Sequence, residues 1–339
     1  MRDLWPDARS IAICCGPGNN GGDGFVVAEL AGLSGFKVSV LNFGTSKSHD
    51  ARQAFKRASD SGVSFVQMTS DVFSEVDVIV DGILGTGLRS APSGLMLDCI
   101  RKLNESRKPI LALDVPTGLN SDTGTVESEA IRATATISFI CINPGILTAN
   151  GPDRCGRLFF SGLNLPESLF SGIEPVCRRI EKNIISKILR KLPAPRHKGE
   201  AGHLLVIGGI PGMGGAVRLA GEAALRVGAG SVTVVTDDSH AAYLNLGRPE
   251  LMVRGIATGR ELLPLFEEIT GIVLGPGLGL TSWSRELTAF VLESDLPVVV
   301  DADGLTLLAE HGVRNEGWVL TPHPGEAARL LHCSSSEVQ

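Results

Sequence analysis

The sequence predicts an α/β protein made of two doubly wound domains, each with a parallel sheet covered by helices. Runs rich in Val and Ile alternate with helix-like stretches, glycine-rich turns follow several runs, and the pattern restarts after residue 200. Apolar runs without in/out alternation are typical of parallel strands buried on both faces. A chain of 339 residues has room for two domains. We expect them over residues 1–166 and 196–339, joined by a linker with a short helix over 167–195.

Composition narrows the classes of function. The net charge of −6, without a long basic run, argues against a nucleic-acid partner. No segment has the ~20 apolar residues of a membrane span, and the first residues contain no apolar signal core. We therefore expect no membrane partner and a cytoplasmic location, with a mature organellar protein as the alternative. The seven cysteines are odd in number and lack C-x-x-C spacing, which favours buried reduced thiols over disulfides or zinc ligands.

In the first half, the pattern predicts strands over 11–15, 38–43, 77–80, 109–113 and 135–142, with helices over 51–61 and 95–106. The glycine-rich residues 16–24 follow the first strand and precede an apolar helix-like stretch. Five glycines there would let the backbone turn sharply beside a ligand, and the next helix would present N–H groups to an anion.

This stretch matches G-x-G-x-x-G through Gly16, Gly18 and Gly21. A dinucleotide-binding unit also requires an acidic residue at the end of the second strand, where this chain has Asn42-Phe43-Gly44. The pattern therefore favours a pocket for a phosphorylated small molecule over an ordinary NAD cleft. A tight turn that needs glycine only for packing is the alternative.

Two aspartates stand where predicted strands end and glycine-containing loops begin. Asp81 ends the third strand and Asp114 the fourth, with Thr117 close behind. Because the carboxyl ends of parallel strands share one edge of a sheet, we expect these side chains near residues 19–23. Carboxylate, amide and hydroxyl oxygens suit a hard monovalent or divalent cation, and a free carboxylate suits a general base. Helix capping is the alternative role.

Three motifs then resemble the NAD(P)H-hydrate epimerase (YjeF N-terminal) family: Gly18-Asn19-Asn20-Gly21-Gly22-Asp23-Gly24, Val80-Asp81-Gly82-Ile83-Leu84-Gly85-Thr86-Gly87-Leu88 and Leu113-Asp114-Val115-Pro116-Thr117-Gly118-Leu119. The resemblance covers roughly residues 8 to 165. It implies a Rossmann-like sandwich that epimerises the hydrated cofactors NADHX and NADPHX, with Asp114 as our candidate for proton handling. It implies a K+ site at Asn20, Asp81 and Thr117. The implied hydrate-binding residues are Asn19, Asn20, Gly21, Gly22, Asp23, Gly85, Thr86, Gly87, Leu88, Arg89, Ser90, Ala91 and Asp114.

Two features depart from that family. Its members usually have a helical segment ahead of the first strand, whereas this chain begins almost at the strand. Part of the cover and of the dimer surface would then be absent. The family often has Lys where this chain has Asn143, and we expect a weaker phosphate contact there if that Lys makes one.

Beyond residue 200, strands and polar turns recur. Gly275-Pro276-Gly277-Leu278-Gly279, Asp301-Ala302-Asp303 and Thr321-Pro322-His323-Pro324-Gly325-Glu326 each follow an apolar run. The aspartates are placed to approach a cation or polar ligand. His323 is placed to donate to a phosphate or, equally, to form a rigid helix-entry turn. We interpret the basic residues over 178–191 as a solvated helix face.

With His197-Lys198-Gly199, these motifs resemble the ADP/ATP-dependent NAD(P)H-hydrate dehydratase family, which has a ribokinase-like fold. The resemblance implies dehydration of the S hydrate coupled to hydrolysis of ADP or ATP with Mg2+. It implies hydrate contacts at Ala216, Gly277, Gly279 and His323. The family's later nucleotide-binding and catalytic motifs do not occur before Gln339, so we expect an incomplete domain and no dehydratase activity from this chain alone.

Together the two resemblances imply a bifunctional repair enzyme for hydrated cofactors, and we expect a homo-oligomer. Two alternatives stay open. One is a ribokinase-like small-molecule kinase with an accessory domain, and the other is a non-catalytic binding or scaffold protein. Interconversion of R- and S-NADPHX discriminates between them, since a scaffold binds the hydrate without equilibrating it and a kinase ignores it.

Overall fold

The computed structural model describes residues 1–46, 48–69, 72–88, 90–188 and 198–338. The chain divides into two compact units, Met1–Arg179 and Ile180–Gln339. The division falls inside the stretch for which the sequence predicts a linker. Arg89 and His197, both singled out in the sequence, lie outside the described residues.

The first unit has a parallel sheet with helices on both faces. Its strands are β1 Ser10–Cys15, β2 Lys37–Asn42, β3 Ser64–Val66, β4 Val78–Gly82, β5 Ile110–Leu113, β6 Ala135–Phe139 and β7 Arg157–Ser161. Its helices are α1 Asn19–Leu33, α2 His49–Asp60, α3 Gly94–Glu105 and α4 Gly151–Cys155. The described strands run in the order β3-β2-β1-β4-β5-β6-β7, and every described pairing is parallel.

This sheet is buried because its strands carry apolar side chains on both faces. Ile13 and Val80 are fully buried on the face that carries α1 and α2, and Ile79 is fully buried on the face that carries α3. Phe25 of α1 is also fully buried and meets Phe55 of α2 edge-on, with ring centroids 5.2 Å apart. Burying an aromatic side chain of this size contributes about 2–3 kcal/mol, which fixes α1 against the sheet.

The strand order reverses between β1 and β4. Parallel sheets of this class bind ligands in the crevice outside the carboxyl ends of the strands at such a reversal. Cys15 pairs with Gly82 across the two strands, so the chain segments after both residues leave the sheet side by side. The fold therefore places the glycine-rich segment next to the loop that follows Asp81.

The second unit repeats the design. After α5 Lys182–Ile188, its strands are β8 His203–Ile207, β9 Ser231–Thr236, β10 Met252–Gly255, β11 Gly271–Leu274, β12 Val298–Val300 and β13 Trp318–Leu320. Its further helices are α6 Gly214–Val227, α7 Asp238–Leu244, α8 Leu263–Phe266, α9 Ser282–Leu292, α10 Asp303–His311, α11 Pro324–Leu331 and α12 Ser335–Val338. The described order is β10-β9-β8-β11-β12-β13, all parallel, with the reversal between β8 and β11.

The predicted fold class, two doubly wound α/β units, is confirmed. The sequence patterns missed β3, β7 and β10, and they extended the strand of β6 to residue 142, whereas it ends at Phe139. The largest error concerns α1, which begins at Asn19 and so contains most of the stretch interpreted as a loop. Residues 178 and 179 precede α5, so the predicted basic helix face is shorter than expected.

The cysteines agree with the predicted reduced state. All seven are free; Cys14, Cys15, Cys99 and Cys155 are buried, whereas Cys141 and Cys177 are exposed. Among the described helices, none is both long and apolar enough to cross a membrane.

Candidate active site

A cavity of about 370 Å³ lies at the strand reversal of the first unit. Its walls come from the start of α1, the loop after β4 and the end of β5. The lining residues are Pro17, Gly18, Asn19, Asn20, Asp23, Ile83, Leu84, Gly85, Thr86, Gly87 and Asp114. This volume is within the range of small-ligand sites.

Glycines on both sides of the α1 start allow backbone to pack closely on backbone. A Cβ atom on Gly16 would overlap the carbonyl oxygen of Ile83, and one on Gly21 would overlap the carbonyl oxygen of Gly16. None of the five glycines between 16 and 24 has a positive φ, so their backbone angles alone do not require glycine. Gly16 and Gly21 are therefore needed for packing. Because neither has a side chain, the start of α1 lies directly against the loop after β4.

The start of α1 suits an anion. Its cap residue, Gly18, has no side chain to accept from the first turn, and that turn contains no acidic residue. The first N–H groups of a helix have no partner within it and carry a partial positive charge. Because Asn19 and Asn20 of this turn line the cavity, the helix start lies at its wall.

Asn20 is the most unusual polar side chain of this site. It is 9% exposed, and neither its Oδ1 nor its Nδ2 has a hydrogen-bond partner. A buried amide left unpaired costs about 1–3 kcal/mol, and such groups are rare in folded proteins. A ligand would satisfy this amide by accepting a hydrogen bond from Nδ2 and by offering a donor or a cation to Oδ1.

The backbone of Gly85 lies between the side chains of Asn20 and Asp114. A Cβ atom on Gly85 would lie 2.8 Å from Oδ2 of Asp114 and 3.4 Å from Oδ1 of Asn20. The loop backbone therefore runs between the amide and the carboxylate, and only glycine leaves room for both. The side chains of Asn20 and Asp114 therefore lie on either side of Gly85 at this edge of the sheet.

Asp114 is held in a strained backbone conformation. Its φ is +65°, in the left-handed region that costs a residue with a side chain about 1–2 kcal/mol. Its Oδ2 accepts a hydrogen bond of 3.3 Å from the backbone N–H of Thr86. Burial raises the pKa of this carboxyl, although the N–H groups of Thr86 and Phe139 act in the opposite direction.

Asp81 and Thr117 form a buried pair behind the loop. Oδ1 of Asp81 accepts from the Thr117 hydroxyl at 2.6 Å and from the N–H of Ile83 at 3.2 Å, and Oδ2 accepts from the N–H of Thr117 at 2.8 Å. Burial raises the pKa of Asp81 to about 6 in spite of these donors. The hydroxyl oxygen of Thr117 also accepts from the N–H of Leu84 at 2.9 Å, which joins the pair to the cavity wall.

The three residues predicted to share an ion thus converge in part. Asp81 and Thr117 are in direct contact, and Asn20 reaches the same loop from α1 without a hydrogen bond to either. Together they provide carboxylate, hydroxyl and amide oxygens, with Asn20 Oδ1 unsatisfied. This donor set fits a hard cation such as K+. Among the described residues, no three His, Cys, Asp or Glu side chains cluster as a metal site.

Other predicted residues do not line this cavity. Gly21 and Gly22 face packing contacts, and Leu88, Ser90 and Ala91 lie farther along the loop. Asn143 precedes a short 3-10 turn and is likewise absent from the cavity walls. Four lining residues were not among the predicted contacts, although the ends of β1 and β4 indicate them: Pro17, Gly18, Ile83 and Leu84.

In the second unit, the structure brings Ala216 and Gly277 together. Gly277 has φ +63°, and a Cβ atom there would lie 2.6 Å from the carbonyl oxygen of Met213 and 3.3 Å from Cβ of Ala216. Gly279, with φ +69°, donates its N–H to Oδ2 of Asp303 at 2.8 Å. These residues surround the strand reversal between β8 and β11.

The remaining polar residues of that unit make internal contacts. Oδ1 of Asp301 accepts from the hydroxyl of Thr321 at 2.8 Å. His323 caps α11, since its Nδ1 accepts from the N–H of Gly325 at 3.1 Å and its own N–H donates to Glu326. The helix-entry turn is therefore present, and the exposed ring has Nε2 3.2 Å from Oε1 of Glu326, while the contact to a phosphate stays a prediction.

Two family profiles match the chain. The profile described as YjeF-related protein N-terminus matches residues 1–145, and the one described as NAD(P)H-hydrate dehydratase matches residues 204–339. The fold and both profiles thus define a protein with an epimerase-type and a dehydratase-type α/β unit.

The curated relatives identify the family. The bifunctional NAD(P)H-hydrate repair enzyme Nnr of Coxiella burnetii is 44% identical over 99% of this chain and 69% of its own length. The enzyme of the same name from Escherichia coli is 41% identical over 100% of this chain and 66% of its own length. The chain belongs to the family of bifunctional NAD(P)H-hydrate repair enzymes, and it spans about two thirds of the length of these relatives.

A solved structure matches part of the chain. The ADP/ATP-dependent NAD(P)H-hydrate dehydratase from Bacillus subtilis, co-crystallised with ATP and Mg2+, is 30% identical over 46% of this chain and 57% of its own length, with a TM-score of 0.41.

Proposed function

We propose that the first unit interconverts R- and S-NADHX and R- and S-NADPHX, the hydrated forms of the nicotinamide cofactors. The unpartnered, buried amide of Asn20 carries this proposal, because it lies beside the Asp114 carboxylate in the cavity at the strand reversal. The hydrate offers amide, hydroxyl and phosphate groups that match an amide, a carboxylate and a helix start. Asp114, the strained carboxylate, handles the proton near the reacting carbon.

Chromatography of purified R-NADPHX tests the proposal. We expect the wild-type chain to convert it to an equilibrium mixture of R and S forms much faster than buffer alone. Binding without faster equilibration would support the scaffold alternative. No effect on the hydrate, with phosphorylation of a small molecule instead, would support the kinase alternative. Either result would contradict an epimerase.

We further propose K+ as the ion of this unit, held by Asn20, Asp81 and Thr117. Two observations support it: the unsatisfied Oδ1 of Asn20 and the buried carboxylate of Asp81 beside the Thr117 hydroxyl. A K+ ion held by these residues would supply a positive charge at this edge of the sheet. It would also favour the ionised form of Asp81 and orient the Asn20 amide.

Thermal unfolding in KCl tests the ion site. An ion that binds only the folded chain stabilises it by RT ln(1 + [K+]/Kd). We expect the Tm of the first unit to rise with KCl relative to tetramethylammonium chloride at equal ionic strength, and we expect no such rise in Asn20→Ala. Equal responses of both proteins would contradict the assignment.

For the second unit we propose S-NAD(P)HX dehydration coupled to hydrolysis of ADP or ATP with Mg2+ in the longer proteins of the family. The glycine loop at 275–279, which packs against Ala216, supports this proposal by its place at the strand reversal. Formation of NADPH from S-NADPHX in the presence of ATP and Mg2+ is the assay for this proposal, and an enzyme of the family that bound the hydrate without restoring NADPH would contradict it. The homo-oligomeric state and the cytoplasmic location stay predictions, which light scattering and cell fractionation would test.

A further inference from the structure

A second pocket of about 380 Å³ adjoins the cavity of the first unit, and Asn19 and Asp23 line both spaces. The other lining residues of this pocket come from α1 and α2. They are Gly22, Val26, Asp50, Ala51, Gln53, Ala54 and Arg57. The pocket therefore begins beside the cavity, at the start of α1, and runs between the two helices.

This space between α1 and α2, the interhelical groove, is lined by one face of each helix. Positions with i, i+3, i+4 and i+7 spacing contribute: 19, 22, 23 and 26 on α1, and 50, 53, 54 and 57 on α2. The helices touch at Gly22, where a Cβ atom would lie 3.0 Å from Cβ of Ala51. They meet again where Nε of Arg57 lies 3.3 Å from Oε2 of Glu29. From Gly22 to Glu29 the axis of α1 rises about 10 Å, at 1.5 Å per residue.

Arg57 is the one cationic side chain among the described residues that line the cavity and the groove. Its Nε lies against the carboxylate of Glu29, and no other described residue forms a hydrogen bond or ion pair with its guanidinium. A guanidinium has five N–H donors, so donors remain for a further anion. The side chain is 57% exposed, which leaves it accessible to a ligand. Glu29 thus positions a cation that can still bind an anion.

The charges of the groove differ between its two ends. Asp23 is near the cavity, and Asp50 lies in the first turn of α2. Arg57 lies in the last turn of that helix, about 10 Å farther along its axis. Carboxylates accept hydrogen bonds from ribose hydroxyls, whereas a guanidinium binds phosphate. The groove therefore fits a ligand with hydroxyl groups near the cavity and a phosphate at the far end.

We propose that Arg57 binds the 2′-phosphate of NADPHX in the interhelical groove, and that this contact makes the first unit prefer NADPHX over NADHX. This inference rests on the proposed function of the adjoining cavity. The 2′-phosphate is on the adenosine ribose, the end of the molecule remote from the nicotinamide, and Arg57 is at the end of the groove remote from the cavity. An Arg beside that ribose is a usual means of accepting the 2′-phosphate. NADHX has a neutral hydroxyl there, so it lacks the charged contact.

The test compares kcat/KM for R-NADPHX and R-NADHX in the wild-type chain and in Arg57→Gln. We expect the wild-type chain to prefer NADPHX about tenfold, the scale of one charge-assisted contact at a partly exposed position. Arg57→Gln should lower kcat/KM for NADPHX by about that factor through KM, because the contact is remote from the reacting carbon, and it should leave the value for NADHX within about twofold. Arg57→Lys should keep part of the preference, since it retains the charge without the planar guanidinium.

Arg52→Gln is the matched control. It removes a positive charge from the same helix, at a position that lines neither the cavity nor the groove. Both kcat/KM values should stay within about twofold of the wild type, since the long-range effect of one exposed charge is screened by salt. Titration calorimetry with NADP+ and NAD+ makes the same comparison without turnover and verifies that each variant is folded.

Three results would overturn the assignment of Arg57. They are equal losses for both hydrates in Arg57→Gln, which would indicate a pyrophosphate contact, an unchanged preference in that variant, and an equal loss of preference in Arg52→Gln. A wild-type chain that epimerises neither hydrate would contradict the proposed function, and calorimetry would then decide on Arg57 alone. A preference for NADP+ over NAD+ that Arg57→Gln removes would support the contact, and equal affinities in the wild-type chain would overturn it.

Discussion

Asp81 makes the stability of the first unit depend on pH in a direction opposite to that of most carboxylates. Its side chain is fully buried, and burial raises its pKa from 3.8 to about 6. Between these two values the folded chain holds a proton that the unfolded chain has lost. The free energy of unfolding therefore falls as the pH rises from about 4 to about 6, and it is level above that range.

The size of the effect follows from the two pKa values. A difference of about two pH units corresponds to about 3 kcal/mol, at roughly 1.4 kcal/mol for each unit. Asp23 and Asp114 add to the wild-type slope in the same sense, and Asp77, whose pKa is lowered, acts in the opposite sense. Asp81→Asn keeps those three groups, so the difference between the two proteins isolates Asp81.

The assay is urea unfolding in K+-free buffer at several pH values between 4 and 7.5. Unfolding is monitored by hydrogen exchange detected with mass spectrometry. Peptides that contain β4 report on the first unit alone. We expect wild-type stability relative to Asp81→Asn to fall by about 3 kcal/mol between pH 4 and pH 7. Asp50→Asn, which changes an exposed carboxylate of α2, serves as the control and should follow the wild type. Parallel curves for wild type and Asp81→Asn would refute the reasoning.

Three further predictions follow from the same contacts. Gly16→Ala should lower the free energy of unfolding by at least ~2 kcal/mol in urea titrations, because the new methyl group overlaps backbone, whereas Gly18→Ala, with open space around it, should change it by less than ~0.5 kcal/mol. Asn20→Ala should raise the free energy of unfolding by about 1 kcal/mol in K+-free buffer, because it removes an unpaired buried amide, and it should also abolish epimerisation. A clear loss of stability in this variant would contradict the assignment of an unpaired amide. Gly277→Ala should destabilise the second unit by about 1–2 kcal/mol on account of its positive φ, while calorimetry of Gly215→Ala should show no loss; equal effects would contradict the strain argument.

Much of the fold was predictable because parallel strands have a simple signature. The strands β1, β4 and β5 consist mainly of apolar residues, and Asp81 and Asp114 stand at the ends of β4 and β5 at one edge of the sheet. β3 and β7 escaped prediction because they lie at the two edges of the sheet and are short or carry exposed residues. Edge strands do not need the apolar pattern of central ones.

The start of α1 could not be predicted from propensity. Asn and Gly are poor helix formers, so the helix was expected to begin near Phe25, yet it begins at Asn19. Tertiary packing decides the outcome, since Gly21 and Gly22 fit where a side chain would overlap Gly16 or press against Ala51 of α2. The strained φ of Asp114 and the unpartnered amide of Asn20 are likewise properties of the folded chain.

The most direct measurement of the central claim is a crystal structure of the chain grown with NADP+ and with Tl+ in place of K+. We expect the nicotinamide in the crevice between α1 and the loop after β4, beside Asp114. We also expect an anomalous Tl+ peak within coordination distance of Asn20 Oδ1, Asp81 and Thr117. A nicotinamide bound elsewhere on the first unit, or a Tl+ peak away from these three side chains, would contradict it.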